Sequence, residues 1–148
     1  MLQFKKNGIG ILYGNEGDII QGEYNENNGF GIEENPRVGK YEGDWLNNSI
    51  MGTGKMTYKN GCIYIGQFDK AKPSWFGKMS YPNGDIYICQ FKNGPKEKGK
   101  YFYAEENGIF DSTWNVTEEK SIAKGIFYHY DGRQEKRTRI VELIDKNN

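Results

Sequence analysis

The sequence predicts an all-β protein built from repeated β-hairpins. Three features predict this fold: a five-residue aromatic phrase that recurs at a fixed interval, a glycine pair that recurs in step with it, and Asn-Gly or Asp-Gly dipeptides between the two. Self-similarity with a period of about 20 to 50 residues marks a repeat architecture. A binding or building role is therefore favoured over a catalytic one.

The aromatic phrase reads aromatic, any residue, glycine, any residue, aromatic. In a strand, residues i, i+2 and i+4 share one face, so both rings and the glycine of each copy point the same way. The glycine leaves a gap over which a ring can lie, and the two sets of rings are expected to pack as adjacent columns. Cys89 and Ser112 replace the glycine and narrow this gap. The copies lie at 20–24, 41–45, 64–68, 87–91 and 110–114, and the last four begin 23 residues apart.

The glycine pair opens a second predicted strand in each unit. Gly52 and Gly54 precede one such strand, and one period later Trp75 and Gly77 take the same places. Asn-Gly is a strong hairpin signal, because the turn uses positive φ angles that glycine adopts and asparagine tolerates. This spacing predicts about six units between residues 8 and 132, the last one incomplete. The units open at residues 8, 29, 52, 75, 98 and 124, and turn dipeptides lie at 60–61, 83–84, 107–108 and 131–132.

The combination of Tyr-x-Gly-x-Trp or Phe with Gly-x-Gly and Tyr-x-x-Gly resembles the MORN repeat (membrane occupation and recognition nexus), most closely over residues 41–91. The resemblance implies an elongated, twisted, single-layer antiparallel sheet of stacked hairpins. It also implies a role as a scaffold or interaction module. No catalytic residue belongs to the repeat itself, so none is carried over to this chain.

Length and charge bound the domain organisation and the class of partner. The 148 residues fit one domain, 1–148, with repeats over 8–132 and a cap over 133–148 that is either a strand or a short helix. Twenty basic and 20 acidic residues leave no net charge, which argues against a nucleic-acid partner. No apolar run reaches the roughly 18 residues of a membrane span. Cys62 and Cys89 lie roughly 13 Å apart in the repeat, too far for a disulfide, so free thiols and a cytoplasmic location are expected.

No catalytic, metal-binding or cofactor-binding residue is predicted. His129, the only histidine, is interpreted as a strand residue before a turn, because nothing beside it supplies the pocket and activated partner of a general base. One histidine and two separated cysteines lack metal-ligand spacing. The glycine pairs precede strands, whereas a phosphate-binding loop leads into a helix.

The aromatic residues are the predicted partner-binding surface. Most of these rings are expected to be structural, but a single-layer sheet leaves some aromatic surface accessible along a groove. Trp75 is the strongest single candidate, because it stands where the repeat needs no ring. The candidate groove residues are Tyr41, Trp45, Tyr64, Phe68, Trp75, Tyr87, Phe91, Phe110 and Trp114.

The predicted function is a non-enzymatic scaffold that docks partner helices or peptides along this groove. By resemblance, short MORN-repeat chains are similar to components of the cytoskeleton or cilium, such as radial-spoke-head proteins. One alternative is recognition of anionic membrane lipid, with Arg133, Lys136, Arg137 and Arg139 as the contact residues. A second alternative is an accessory module of an enzyme complex. Self-association stays open at this point.

Overall fold

The computed structural model describes residues 8–14, 16–25, 28–91, 96–116 and 120–142. These residues form a single antiparallel sheet of twelve strands, whose order in the sheet is their order in the chain. The predicted single layer of consecutive β-hairpins is confirmed. The strands are β1 Gly8–Tyr13, β2 Ile19–Asn25, β3 Asn28–Asn35, β4 Gly39–Leu46, β5 Ser49–Tyr58, β6 Ile63–Asp69, β7 Lys72–Ser80, β8 Ile86–Phe91, β9 Lys96–Tyr103, β10 Gly108–Val116, β11 Lys120–His129 and β12 Gln134–Glu142.

The last predicted unit is incomplete in the sequence, and strand β12 completes its hairpin in the structure. β12 pairs with β11 over nine residue pairs, from Lys120 opposite Glu142 to Tyr128 opposite Gln134. The predicted cap is therefore a strand over the part that the structure describes. Residues 1–7 and 143–148 of the predicted domain lie outside the described residues, and the single-domain boundaries stay a prediction.

The Asn60-Gly61 turn lies where predicted but has a different geometry, whereas Asn107 has the expected positive φ, of 49°. Gly61 has a φ of 84° and donates its N–H to the Tyr58 carbonyl at 3.0 Å, whereas Asn60 is not in the positive-φ region. This is a type I turn followed by a left-handed glycine. Asn60 instead accepts a hydrogen bond from the Cys62 N–H through Oδ1, at 3.0 Å. Asparagine is therefore favoured at position 60 by its side-chain hydrogen bond, and a positive φ is not the reason.

Two-residue turns with positive φ at both positions lie at the other ends of the strands. Asn47 and Asn48 have φ angles of 51° and 59°, and Lys70 and Ala71 have φ angles of 48° and 62°. Both pairs have the φ signs of type I′ turns, whose twist matches that of the flanking strands. They join β4 to β5 and β6 to β7.

Two rows of residues run side by side across the whole sheet on one face, here called the aromatic face. The first, the tyrosine row, takes one residue from each strand: Leu12, Ile20, Glu33, Tyr41, Met56, Tyr64, Met79, Tyr87, Tyr101, Phe110, Phe127 and Glu135. The second, the small-residue row, comprises Gly10, Gly22, Gly31, Gly43, Gly54, Gly66, Gly77, Cys89, Gly99, Ser112, Gly125 and Arg137.

In the middle of the sheet, tyrosine rings lie over the small-residue row. A Cβ placed on Gly77 would come within 2.2 Å of the Tyr64 ring, and one on Gly66 within 2.5 Å of the Tyr64 hydroxyl. The same ring packs edge-to-face against Phe91 of the next unit, with centroids 5.4 Å apart. The predicted contact between the two ring columns is thereby confirmed. Tyr41 lies over Gly43 and Gly54 in the same way and packs edge-to-face against Phe68.

We expect Gly77→Ala to destabilise the protein by about 1–3 kcal/mol, because the added methyl group displaces the Tyr64 ring from a packed core. Gly10→Ala is the matched control in the same row, since nothing lies within 4 Å of a Cβ placed there. Its effect should stay within about 0.5 kcal/mol. Urea unfolding of both variants measures the difference, and equal stabilities would contradict the role assigned to the row.

Candidate interaction surface

Most of the predicted groove residues form the core of the sheet. Seven of them are buried, and Trp45 is half-buried. Trp75 differs from all the others, because 66% of its surface is exposed. The buried residues are Tyr41, Tyr64, Phe68, Tyr87, Phe91, Phe110 and Trp114. Partner binding by this set stays a prediction, and Trp75 is the member whose side chain is most exposed to solvent.

The tyrosine hydroxyls are used inside the sheet. Tyr41 donates to the Asp44 carbonyl and Tyr64 to the Gln67 carbonyl, each at 2.9 Å. Burial raises the pKa of both hydroxyls well above the ordinary phenol range. Both groups therefore stay protonated near neutral pH and act as fixed donors, with no role in proton transfer to a substrate.

Trp75 occupies a strained position in a β-bulge of β7. Its φ is 58°, and the pairing register between β6 and β7 shifts beside it, between Gly66 and Gln67. One repeat earlier the corresponding residue is Gly52, with a φ of 82°. Glycine adopts this conformation without strain, whereas other L-residues lose about 1–2 kcal/mol in it. Trp75 therefore holds an exposed ring at a position whose backbone favours glycine.

A second exposed ring lies next to Trp75. Phe76 is 63% exposed and pairs with Gln90 of β8, while Trp75 pairs with Phe91. Adjacent exposed aromatic residues on a rigid strand are typical of surfaces that contact other molecules. Both rings and the bulge lie within β7.

The basic residues near the end of the chain divide between the two faces. Arg137 and Arg139 lie on the aromatic face, where the Arg137 guanidinium is 3.6 Å from the centre of the Phe127 ring. Arg139 donates to the Tyr103 hydroxyl at 2.7 Å. Lys136 is exposed on the opposite face, and Arg133 pairs with Asp131 at 2.7 Å in the turn before β12. Lipid contact by these four stays a prediction, but they do not form one surface.

Glu33 is a residue that the sequence analysis missed. It is half-buried and occupies the tyrosine row, between Ile20 and Tyr41. Burial raises the pKa of its carboxyl, and the negative charge of Asp18 raises it further. A comparison of units could have found it, because Glu33 stands two residues after a glycine where the matching units have Met56 and Met79.

Two central hairpin units of the molecule match a known family model. The MORN-repeat model matches residues 41–63 and 64–86. The first match begins at the aromatic phrase of β4 and the second at that of β6. Each match ends at the residue before the next phrase. This chain is a MORN-repeat protein. No curated protein matches it at a significant level.

The register extends the MORN pattern beyond the two matched repeats. In β12, Glu135, Arg137 and Arg139 stand at the places of the first ring, the glycine and the second ring. They replace stacked rings with a guanidinium over Phe127 and with polar contacts. A hairpin of β11 and β12 therefore stands at the place of the predicted sixth unit, although the sequence of β12 has lost the aromatic phrase.

The opposite face of the MORN sheet is divided by charge. Its amino-terminal half carries Glu23, Glu34, Glu42 and Asp44 beside Lys40 and Lys55. Its carboxy-terminal half carries Lys78, Lys98, Lys100, Lys124 and Lys136, and the acidic Asp111 lies beside Lys100. Exposed Ile88, Ile126 and Ile140 lie among these lysines. The opposite face therefore has an acidic half and a basic half, although the whole chain has no net charge.

The described residues show no arrangement that points to catalysis. His129 contacts Glu135 at 3.1 Å and packs against the Phe127 ring, near the end of β11. Among described positions, no three His, Cys, Asp or Glu side chains are grouped so as to hold a metal ion. That part of the chain also contains no helix long and apolar enough to cross a membrane. The MORN repeat itself is a non-catalytic module.

We expect Trp75→Gly to be more stable than Trp75→Ala by about 1 kcal/mol, because glycine alone relieves the positive φ while both variants lose the ring. Phe76 is the matched control, since its φ is not positive. There the alanine variant should be the more stable one, by about 0.5–1 kcal/mol. Chemical unfolding of the four variants tests this order, and the same order at both positions would contradict the strain at Trp75.

Proposed function

We propose that this MORN-repeat protein is a non-enzymatic scaffold that docks a partner helix or peptide beside the aromatic face. The exposed Trp75 carries this proposal, because its ring is held out in solvent at a position whose backbone favours glycine. Strained residues persist where the surrounding structure enforces them, and they cluster at ligand-binding sites. Tryptophan is also enriched among the residues that dominate binding energy at protein interfaces.

The architecture suits a scaffold for a physical reason. Twelve strands at about 4.8 Å spacing extend over roughly 50 Å, and the buried rings lock each unit to the next. A partner that docks on such a sheet meets a surface already ordered, so binding loses little conformational entropy on this side. Rigidity and length are the properties that a spacer or docking platform needs.

We place this scaffold in the cytoplasm, within a cytoskeletal or ciliary assembly. The support for the compartment is that Cys62 and Cys89 form no disulfide. The support for the assembly is the resemblance of short MORN-repeat chains to cytoskeletal and ciliary components. An accessory role in an enzyme complex uses the same docking surface and differs only in the partner.

Affinity capture from cells tests the docking surface. The full chain as bait should retain a partner at near-stoichiometric level, and Trp75→Gly should lose it at least tenfold, since the ring is removed without loss of fold. Tyr130→Ala is the control, because Tyr130 is 67% exposed in a distant turn. Retention by Trp75→Gly equal to that of the unmodified chain, or no stoichiometric partner at all, would overturn the proposal.

The second candidate function, recognition of anionic membrane lipid, is favoured by the lysine-rich half of the opposite face. Five lysines among exposed isoleucines resemble the clusters of about four to eight basic residues that bind acidic lipid. Arg137 and Arg139 are engaged on the aromatic face, which makes them weaker candidates than the sequence indicated. The lipid-facing residues in this alternative are therefore the lysines.

Co-sedimentation with phosphatidylserine vesicles separates the two functions. Under the lipid alternative, the triple variant Lys78→Gln, Lys124→Gln and Lys136→Gln should lose binding, and salt should weaken it. Changing Arg137 and Arg139 to Gln should matter less. If the unmodified chain does not sediment with acidic vesicles, or sediments equally with neutral ones, the lipid alternative is wrong.

A further inference from the structure

A small cavity opens on the aromatic face near the amino-terminal end of the sheet. Its volume is about 250 Å³, and its walls are mainly apolar. The Glu33 carboxyl lies among these walls. Sites for drug-sized ligands measure about 300–1,000 Å³, so this cavity suits one long side chain better than a whole small molecule. The apolar lining includes Val38, Tyr41, Ile50, Met56 and Ala71.

Glu33 has no counter-charge among the described residues. The nearby cations are engaged elsewhere, with Arg37 on Glu16 at 3.1 Å and Lys40 on Glu42 at 3.7 Å. Asp18 adds negative charge, and its Oδ1 is buried without a hydrogen-bond partner in the part of the chain that the structure describes. Buried polar atoms are normally satisfied, so this end of the face lacks a donor.

The far end of the same face shows how a carboxylate in this row is satisfied. Glu135 takes the place in the tyrosine row that Glu33 takes nine strands earlier. Arg137 donates to Glu135 at 2.7 Å and stacks on the Phe127 ring at 3.6 Å. The pKa values of the two carboxyl groups are shifted in opposite directions. The hydrogen bond from Arg137 lowers the pKa of Glu135, whereas burial raises the pKa of Glu33.

We propose that the Glu33 cavity binds an arginine side chain from a protein partner. The guanidinium would pair with the Glu33 carboxylate, as Arg137 does with Glu135 at the other end, and the aliphatic part of the side chain would lie against the apolar walls. Arginine suits the site because its planar head can pair with a carboxylate through two parallel hydrogen bonds and is more weakly hydrated than a lysine ammonium. This inference rests on the proposed docking function, which supplies the partner.

Titration of the full chain with Nα-acetyl-arginine N-methylamide, followed by NMR, tests the site. We expect saturable shifts at Val38, Ile50 and Met56 with an affinity in the millimolar range, and at least tenfold weaker binding to Glu33→Gln. Glu34→Gln is the matched control, because Glu34 is exposed on the opposite face and the charge change is equal. It should alter the affinity less than twofold. Glu33→Met, a second uncharged variant of similar length, should weaken binding as Glu33→Gln does.

The control compounds define the results that overturn the proposal. The citrulline analogue has the shape of arginine without its charge, and equal binding of this compound would refute the ion pair. A lysine analogue that binds as tightly as the arginine compound would refute the assignment to arginine. Shifts that are scattered, absent or unchanged in Glu33→Gln would refute the site. The titration contains no partner protein, so its failure is distinct from a failure of Trp75-dependent capture.

Discussion

The structure depends on the contact between tyrosine rings and the glycines of the small-residue row. A single-layer sheet has no second layer to cover its apolar face, so its rings must cover one another and the backbone beneath them. Tyr64 does so by lying over Gly66 and Gly77 and meeting Phe91 of the next unit. The contact recurs with the repeat, because Tyr41 meets Gly43, Gly54 and Phe68 in the same way one period earlier.

This contact weakens in steps toward the carboxy-terminal end. The even-numbered strands place Gly66, Cys89, Ser112 and then Arg137 in the small-residue row, while the odd-numbered strands between them keep glycine. A larger residue is accommodated because its neighbours in the row have no side chain. By β12, the stacked rings have given way to a guanidinium stacked on Phe127. The sheet thus ends in a surface that mixes charge with aromatic packing.

The fold could be predicted largely from the sequence, because period, glycine spacing and strand alternation are local signals. The two-residue turns could not, since Lys70 and Ala71 carry no turn signature and are forced into positive φ by the pairing around them. β12 was ambiguous because its aromatic phrase is gone. The candidate site was predictable only in part: Trp75 broke the pattern visibly, whereas Glu33 matters through its place in a cross-strand row. The split of Lys136 from Arg137 follows from strand alternation once β12 is known to be a strand.

The order of the strands has a consequence for folding. Since each strand pairs only with its neighbours in the chain, the protein behaves as a one-dimensional array of coupled units. Such arrays can nucleate at any well-packed unit and grow in both directions, and low contact order favours rapid folding. The central units, which carry the most regular rings, are natural nuclei, and opening should progress inward from the two unpaired edges.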